Sequence, residues 1–298
     1  MAVFPRCGRR VLVTGVLGGT GSRHAVKTVY QAERMPSRLS VHAVSLSLFL
    51  FKVAIPAVLV AVMSLAARRW GATVGGLIMG LPWMSGPVLL FLALDKGEAF
   101  AVGATIGIEI GVISIAAYIL AYAAASCIGP WPLALAVSTL GFAAAALITS
   151  PWPLELWQAA IAAVSTLLGA ILLLPKPRSA PQPARLPTWD IPARMATTFA
   201  LVAIILASAD RFGPRLSGII ATFPVILVVV GCFTHHQSGR DAVLRVLRGV
   251  SLSLIGFCLF FLVVGYALPV IGLVPSFTVG AICGVAFSAC LIAVSRKG

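Results

Sequence analysis

Long apolar runs separated by short polar breaks organise this chain. They fall at about 43–67, 72–94, 99–125, 131–149 and 154–174, and then at about 191–209, 214–234, 243–267 and 270–294. A run of 18 or more residues with few charges reads as a spanning helix, because bilayer hydrocarbon leaves no water to satisfy a bare backbone. The stretch 131–174 is too long for one crossing of a core of about 30 Å. Ser150-Pro151-Trp152-Pro153 divides it into two helices. Trp70, Trp131, Trp152, Trp157 and Trp189 fall at span ends, where an amphipathic ring prefers the headgroup layer. The pattern predicts an all-α, polytopic membrane protein of about nine transmembrane helices, with almost no soluble part.

An internal repeat sets the expected organisation. Residues 69–82 read RWGATVGGLIMGLP and residues 211–224 read RFGPRLSGIIATFP. The shared pattern is R-[WF]-G-x4-G-[LI]-I-x2-[LF]-P, without a gap. The register continues: Gly97 matches Gly239, Gly107 matches Gly249, and Lys52 falls on Arg194. Each copy holds four helices, and the helix at 154–174 is extra. Four helices return a chain to the side it left, so one additional helix inserts the second copy upside down. The expected segments are a polar basic tail at 1–40, a first membrane repeat at 41–153, a connecting helix at 154–174, a proline-rich basic linker at 175–190 and a second membrane repeat at 191–298.

Charge supports the inversion. The loop after the first helix carries Arg68 and Arg69 in copy one, and Asp210, Arg211 and Arg215 in copy two. The loop after the second helix holds Asp95, Lys96 and Glu98 in copy one. In copy two it holds His235, His236, Arg240, Asp241, Arg245 and Arg248. The bias swaps loops between copies, as the positive-inside rule requires of inverted units. The linker and C-terminus then face the cytoplasm. This orientation places the N-terminus outside, although residues 1–34 are rich in Lys and Arg. Either the tail lies inside and the helix count shifts by one, or translation starts at Met35; the second reading is preferred.

Composition narrows the function classes. Charged residues are only 10% of the chain, against roughly 25% in soluble domains. The net charge of +14 points to the membrane surface and not to nucleic acid, because the cations crowd into tail, loops and linker. The six cysteines form no C-x-x-C pair and read as small buried hydrophobes. No Asp-rich metal-diphosphate motif, H-E-x-x-H or nucleophile elbow occurs. The expectation is therefore no enzyme, no catalytic residue, no metal and no cofactor. The tail segment Thr14-Gly15-Val16-Leu17-Gly18-Gly19-Thr20-Gly21 resembles the opening of short-chain dehydrogenases, whose glycines approach a pyrophosphate. Apolar spans begin some 20 residues later, with no room for the sheet that chemistry needs.

Three features carry the candidate site. Pro82 and Pro224 fall about halfway through their helices, where proline removes a donor and frees a carbonyl. Gly76 and Gly218 weaken the same stretches. Gly/Pro-interrupted helices at matching places in two halves point to a midplane site in inverted-repeat transporters; small residues also serve close helix packing. Glu109 lies about ten residues into its run, roughly 15 Å deep at 1.5 Å per residue. A charge there costs about 2.5–3.5 kcal/mol, so Glu109 reads as a proton-exchanging group or as a buried structural carboxyl. Lys52 lies several residues deep in the first helix, either pairing with Glu109 or snorkelling. Arg194 is expected to snorkel. His235 and His236 read as a solvated basic loop or a pH-sensing gate.

The segment Ser217-Gly218-Ile219-Ile220-Ala221-Thr222-Phe223-Pro224, the apolar run after it and Gly239 resemble the GlpM-like small membrane proteins over about residues 191–295. Copy one is similar more loosely, through Gly76 and Pro82. The resemblance implies a four-helix unit in the context of alginate (exopolysaccharide) production. Two readings follow. One is a secondary transporter or permease of a small solute in a bacterial cytoplasmic membrane, with the solute between the copies. The other is a non-transporting accessory of exopolysaccharide or lipid-linked sugar assembly. Expected partners are the lipid bilayer, the unidentified solute, and a homo-oligomer or polysaccharide-assembly proteins.

Overall fold

The structure is a computed structural model that describes residues 38–83, 85–178, 187–209 and 223–295; the side chains of 38–53, 95, 205–209 and 291–295 lie outside the description. Every described element is a helix. The chain divides into two units, 1–44 and 45–298. Every described helix belongs to the second, apart from residues 38–44.

The helices are α1 (Arg38–Trp70), α2 (Ala72–Met79), α3 (Ser85–Lys96), α4 (Glu98–Ala125) and α5 (Trp131–Thr149). After them come α6 (Leu156–Leu173), α7 (Asp190–Ala209), α8 (Val225–Ile271) and α9 (Leu273–Ser295). Among the described residues, five are long and apolar enough to cross a membrane: α4, α5, α6, α8 and the 273–290 part of α9. The chain is a membrane protein.

Local chemistry sets the boundaries. Pro130 caps α5, and the Ser150–Pro153 stretch ends it before Glu155 opens α6 with a capping box to Gln158. Two orphan donors at that helix start are satisfied this way. The run at 72–94 is not one helix: α2 and α3 flank a non-helical break from Gly80 to Pro82. Conversely, the runs at 214–234 and 243–267 meet in α8, whose 47 residues would reach about 70 Å if straight. Gly239 divides it, with φ 78° and ψ −179°. Gly97, between α3 and α4, adopts nearly the same shape, φ 90° and ψ 165°. Both lie in the positive-φ region that glycine alone adopts readily.

Helix α4 forms the centre, packing against α3, α5, α6 and α8, while α2 and α9 pack on α8. The α2–α8 contact is close. A Cβ on Gly76 would strike the Val246 carbonyl, and one on Gly249 would strike that of Thr73. Gly80 likewise abuts Ser253. Small residues four apart on each helix let the backbones touch, the usual means of association where lipid supplies no hydrophobic drive.

Candidate functional site

Proline builds two matching breaks. At the first, the Trp83 N–H donates to the Leu81 carbonyl at 2.8 Å, and the Gly86 N–H donates to the Pro82 carbonyl at 3.1 Å. At the second, the Val225 N–H donates to the Phe223 carbonyl at 2.8 Å, and the Val228 N–H to the Pro224 carbonyl at 2.9 Å. Pro224 has φ −81° and ψ 64°, the inverse γ-turn that an i→i+2 bond closes. Pro82 therefore lies between two helices, and Pro224 immediately precedes one, rather than each kinking a continuous helix.

The surroundings differ. The Pro82 break faces α8, through Gly80 on Ser253 and Gly86 beside Phe260. The Pro224 break borders a cavity of about 820 Å³ lined from α5, α7 and α8. Phe223 stands edge-on to Phe142 at 5.3 Å and to Tyr118 at 6.4 Å between ring centroids. Phe233, Cys232 and His236 continue the wall.

Glu109 is fully buried in α4. The Cys258 thiol on α8 faces it, and neither carboxyl oxygen has a well-formed hydrogen bond among the described residues. Lys52, read as either pairing with Glu109 or snorkelling, lies on α1 with its side chain outside the described residues. Gly218 also lies outside them. Gly76, expected near a site, is a packing residue held against Gly249. Gly107, the sequence counterpart of Gly249, has no described atom within 4 Å of a Cβ.

A charge network that sequence reasoning missed lies at one end of the bundle. Asp190, the first residue of α7, is fully buried. It accepts from Arg68 at 2.7 Å, from Arg194 Nε at 2.9 and 3.0 Å, and from Gln237 at 2.6 Å. Arg194 also donates to Gln237 at 3.1 Å. Arg194 thus does not snorkel: it is buried and paired one turn from its partner. Burial pushes the Asp190 carboxyl up, but hydrogen bonds from Arg194, Arg68 and Gln237 outweigh it and hold the group below the usual carboxylate range. The last turn of α1 and the first turn of α7 present opposite dipole ends, which favour the Arg68–Asp190 pair further. The available signal was an Asp–x3–Arg spacing at a helix start; its partners, far away in sequence, gave none.

His235 and His236 are helical, not in a loop. Tyr122 Oη lies 3.2 Å from His235 Nδ1, and the Trp131 ring stands 6.3 Å from that of His236. At the same end Arg240 donates to Cys127 Sγ at 3.1 Å, the Arg178 N–H donates to Asp241 at 3.0 Å, and Arg248 donates to the Leu174 carbonyl at 2.6 Å. These contacts gather Arg68, Arg178, Arg194, Arg240 and Arg248 at one end of the helices. The far ends of α3 and α5 carry Lys96, set over the Phe100 ring at 4.7 Å, and the turn before Glu155.

No group of His, Cys, Asp and Glu that could hold a metal ion occurs among the described residues. Comparison with protein-family models, with curated proteins and with solved structures finds no match.

Proposed function

We propose that this chain is a secondary transporter of a bacterial cytoplasmic membrane, built from two four-helix copies in inverted orientation around α6. The observation that carries the reading is the pair of proline breaks with the same backbone bonding, at Leu81–Pro82–Trp83 and Phe223–Pro224–Val225. Interrupted helices at corresponding places in two halves line the binding site of inverted-repeat carriers. Gly97 and Gly239, each ending the segment after its break with positive φ, support the repeat. So do α4 and the 240–271 part of α8, each following that glycine.

The orientation is supported by where the cations gather. The end that holds Arg68, Arg178, Arg194, Arg240 and Arg248 is strongly basic, and the end with Lys96 also carries Glu98 and Glu155. The positive-inside rule makes the first end cytoplasmic. Helix α1 then runs inward and its counterpart α7 runs outward, as inversion demands.

Glu109 is the proton site of this reading. A carboxyl inside the bundle with no well-formed partner is expensive as an anion and marks ion and proton pathways. Wild-type proteoliposomes under a pH gradient are expected to accumulate solute. Glu109→Gln is expected to insert and fold normally and to lose that accumulation, while keeping solute exchange. A fully active Glu109→Gln protein would end the proton-coupling role.

The resemblance of 217–224 and Gly239 to the GlpM-like proteins favours a second reading, an accessory of exopolysaccharide or lipid-linked sugar assembly. A carrier moves solute alone in liposomes; an accessory moves none without its partners.

A further inference from the structure

The cavity at the Pro224 break has a chemical bias. Its volume of about 820 Å³ lies in the range of small-molecule sites, about 300–1,000 Å³. Trp131, Phe142, Phe223 and Phe233 supply aromatic surface, and no charged side chain is among its described lining residues. A sugar or a zwitterion held there would leave most of its polar groups unpaired. Ala143 on α5 and Thr197 on α7 both line the cavity and are exposed, so it opens sideways between two apolar helices, toward lipid.

One end is different. His236 lines the cavity beside Trp131. The Arg194 guanidinium lies 5.1 Å over the Phe233 ring. Arg240, just past the Gly239 turn, has a buried Nε without a hydrogen-bond partner. Among the described residues the cations at this end, Arg68, Arg178, Arg194, Arg240 and Arg248, outnumber the acids Asp190 and Asp241, which are engaged by Arg68, Arg194 and Gln237 and by the Arg178 N–H. The cavity is thus apolar along its length and electropositive at one tip.

We propose that this cavity binds an anionic amphiphile drawn from the bilayer, its apolar body against Phe142, Phe223 and Phe233 and its head group at the His236 tip. Opening to lipid fits a molecule already dissolved there, and the cationic tip fits a carboxylate or phosphate head. That the molecule is cargo and not a resident lipid rests on the transport reading; the binding does not.

The test uses the full chain in phosphatidylcholine nanodiscs, with 9,10-dibromostearate as a short-range quencher of Trp131. Wild type should show a saturable quenching component that Trp131→Phe lacks. Ala143→Phe, which fills the cavity, should abolish it; Thr197→Phe repeats this arm from the opposite wall if the first variant fails to fold. The neutral alcohol, 9,10-dibromo-octadecanol, should bind about tenfold more weakly, the loss of one charge-assisted hydrogen bond. His236→Ala should remove most of that difference. Quenching that never saturates, that survives both filled cavities, or that is equal for acid and alcohol would overturn the proposal. Saturable quenching without solute flux in proteoliposomes would support the site and overturn only the transport reading. Flux of another solute without saturable quenching would do the reverse.

Discussion

The breaks at Pro82 and Pro224 share the same backbone bonding and differ in what anchors the segments around them. In the first, α2 is pinned by backbone contact, Gly76 on Gly249 and Gly80 on Ser253. Its far end, at Lys96, is exposed, with the Lys96 ammonium set over the Phe100 ring. In the second, the stretch 225–238 is anchored at its far end, where Gln237 joins the Asp190 network and His235 meets Tyr122. Proline sets the break in both, because it cannot donate to the turn before it. What the break is used for depends on the neighbours: a flush helix contact at Pro82, an aromatic cavity at Pro224.

Substitutions should separate the two segments. The largest effect is expected at Gly76. Gly76→Leu would drive a side chain into the α8 backbone, which cannot yield as a flexible side chain can. Extra methylenes alone cost about 1–3 kcal/mol in a packed core; a Cβ here already strikes backbone, so a whole leucyl group should keep α2 from docking on α8 at all. Gly249→Leu should be equally damaging, and the two should not add. Tm in detergent and the folded fraction by size exclusion check this; a Gly76→Leu protein as stable as wild type would remove the close contact from the account.

Next comes the other anchor. Asp190→Asn leaves Arg194 buried without its counter-charge, which costs about 3–5 kcal/mol for a buried pair. Arg68→Gln should cost less, since Arg68 is 31% exposed. A double-mutant cycle between positions 68 and 190, read by thermal unfolding, measures the coupling; a coupling near zero would make the network incidental.

Pro224→Ala should change function more than stability. It restores an N–H where an inverse γ-turn now closes, and so allows the chain to straighten at the cavity wall. Dibromostearate binding should weaken by about tenfold, near 1.4 kcal/mol, with little change in Tm. Pro82→Ala should leave binding unaltered, because its break borders α8 and not the cavity. Equal effects at both positions would erase the distinction.

The smallest effect is pH-dependent. The folded Asp190 carboxyl sits below its ordinary range, so its ionised form binds the fold better than the neutral one. Its contribution is fully present above the unfolded value of about 3.9 and is lost as pH falls through the lower folded value. Acid unfolding of Asp190→Asn should therefore lack this component. Superimposable acid profiles for wild type and variant would contradict it.

Much of the fold was legible because lipid makes few demands and makes them everywhere. Apolar length exposed the five described helices long enough to cross a membrane, and prolines exposed both breaks. The depth of Glu109 in its run exposed its burial. Three things were not legible. Gly239 reads as a loop, yet a single glycine with positive φ turns the chain while helix continues on both sides, which places His235 and His236 on a helix. Arg194 reads as a snorkelling cation, because Asp190 can be credited as its partner only once Arg68 and Gln237 are known to close the ring. The cavity draws on α5, α7 and α8, whose lining positions share no sequence pattern.

Sidedness tests the central claim, inverted copies, most directly. In a variant without native cysteines, single cysteines at Arg69, Lys176 and Lys96 would be probed with a membrane-impermeant maleimide in sealed, right-side-out vesicles and again after permeabilisation. The account predicts that Lys96→Cys labels from outside, and that Arg69→Cys and Lys176→Cys label only once the membrane is opened. Labelling of positions 69 and 96 from the same side would mean that the α2–α3 segment does not cross, and the inverted arrangement would fall with it.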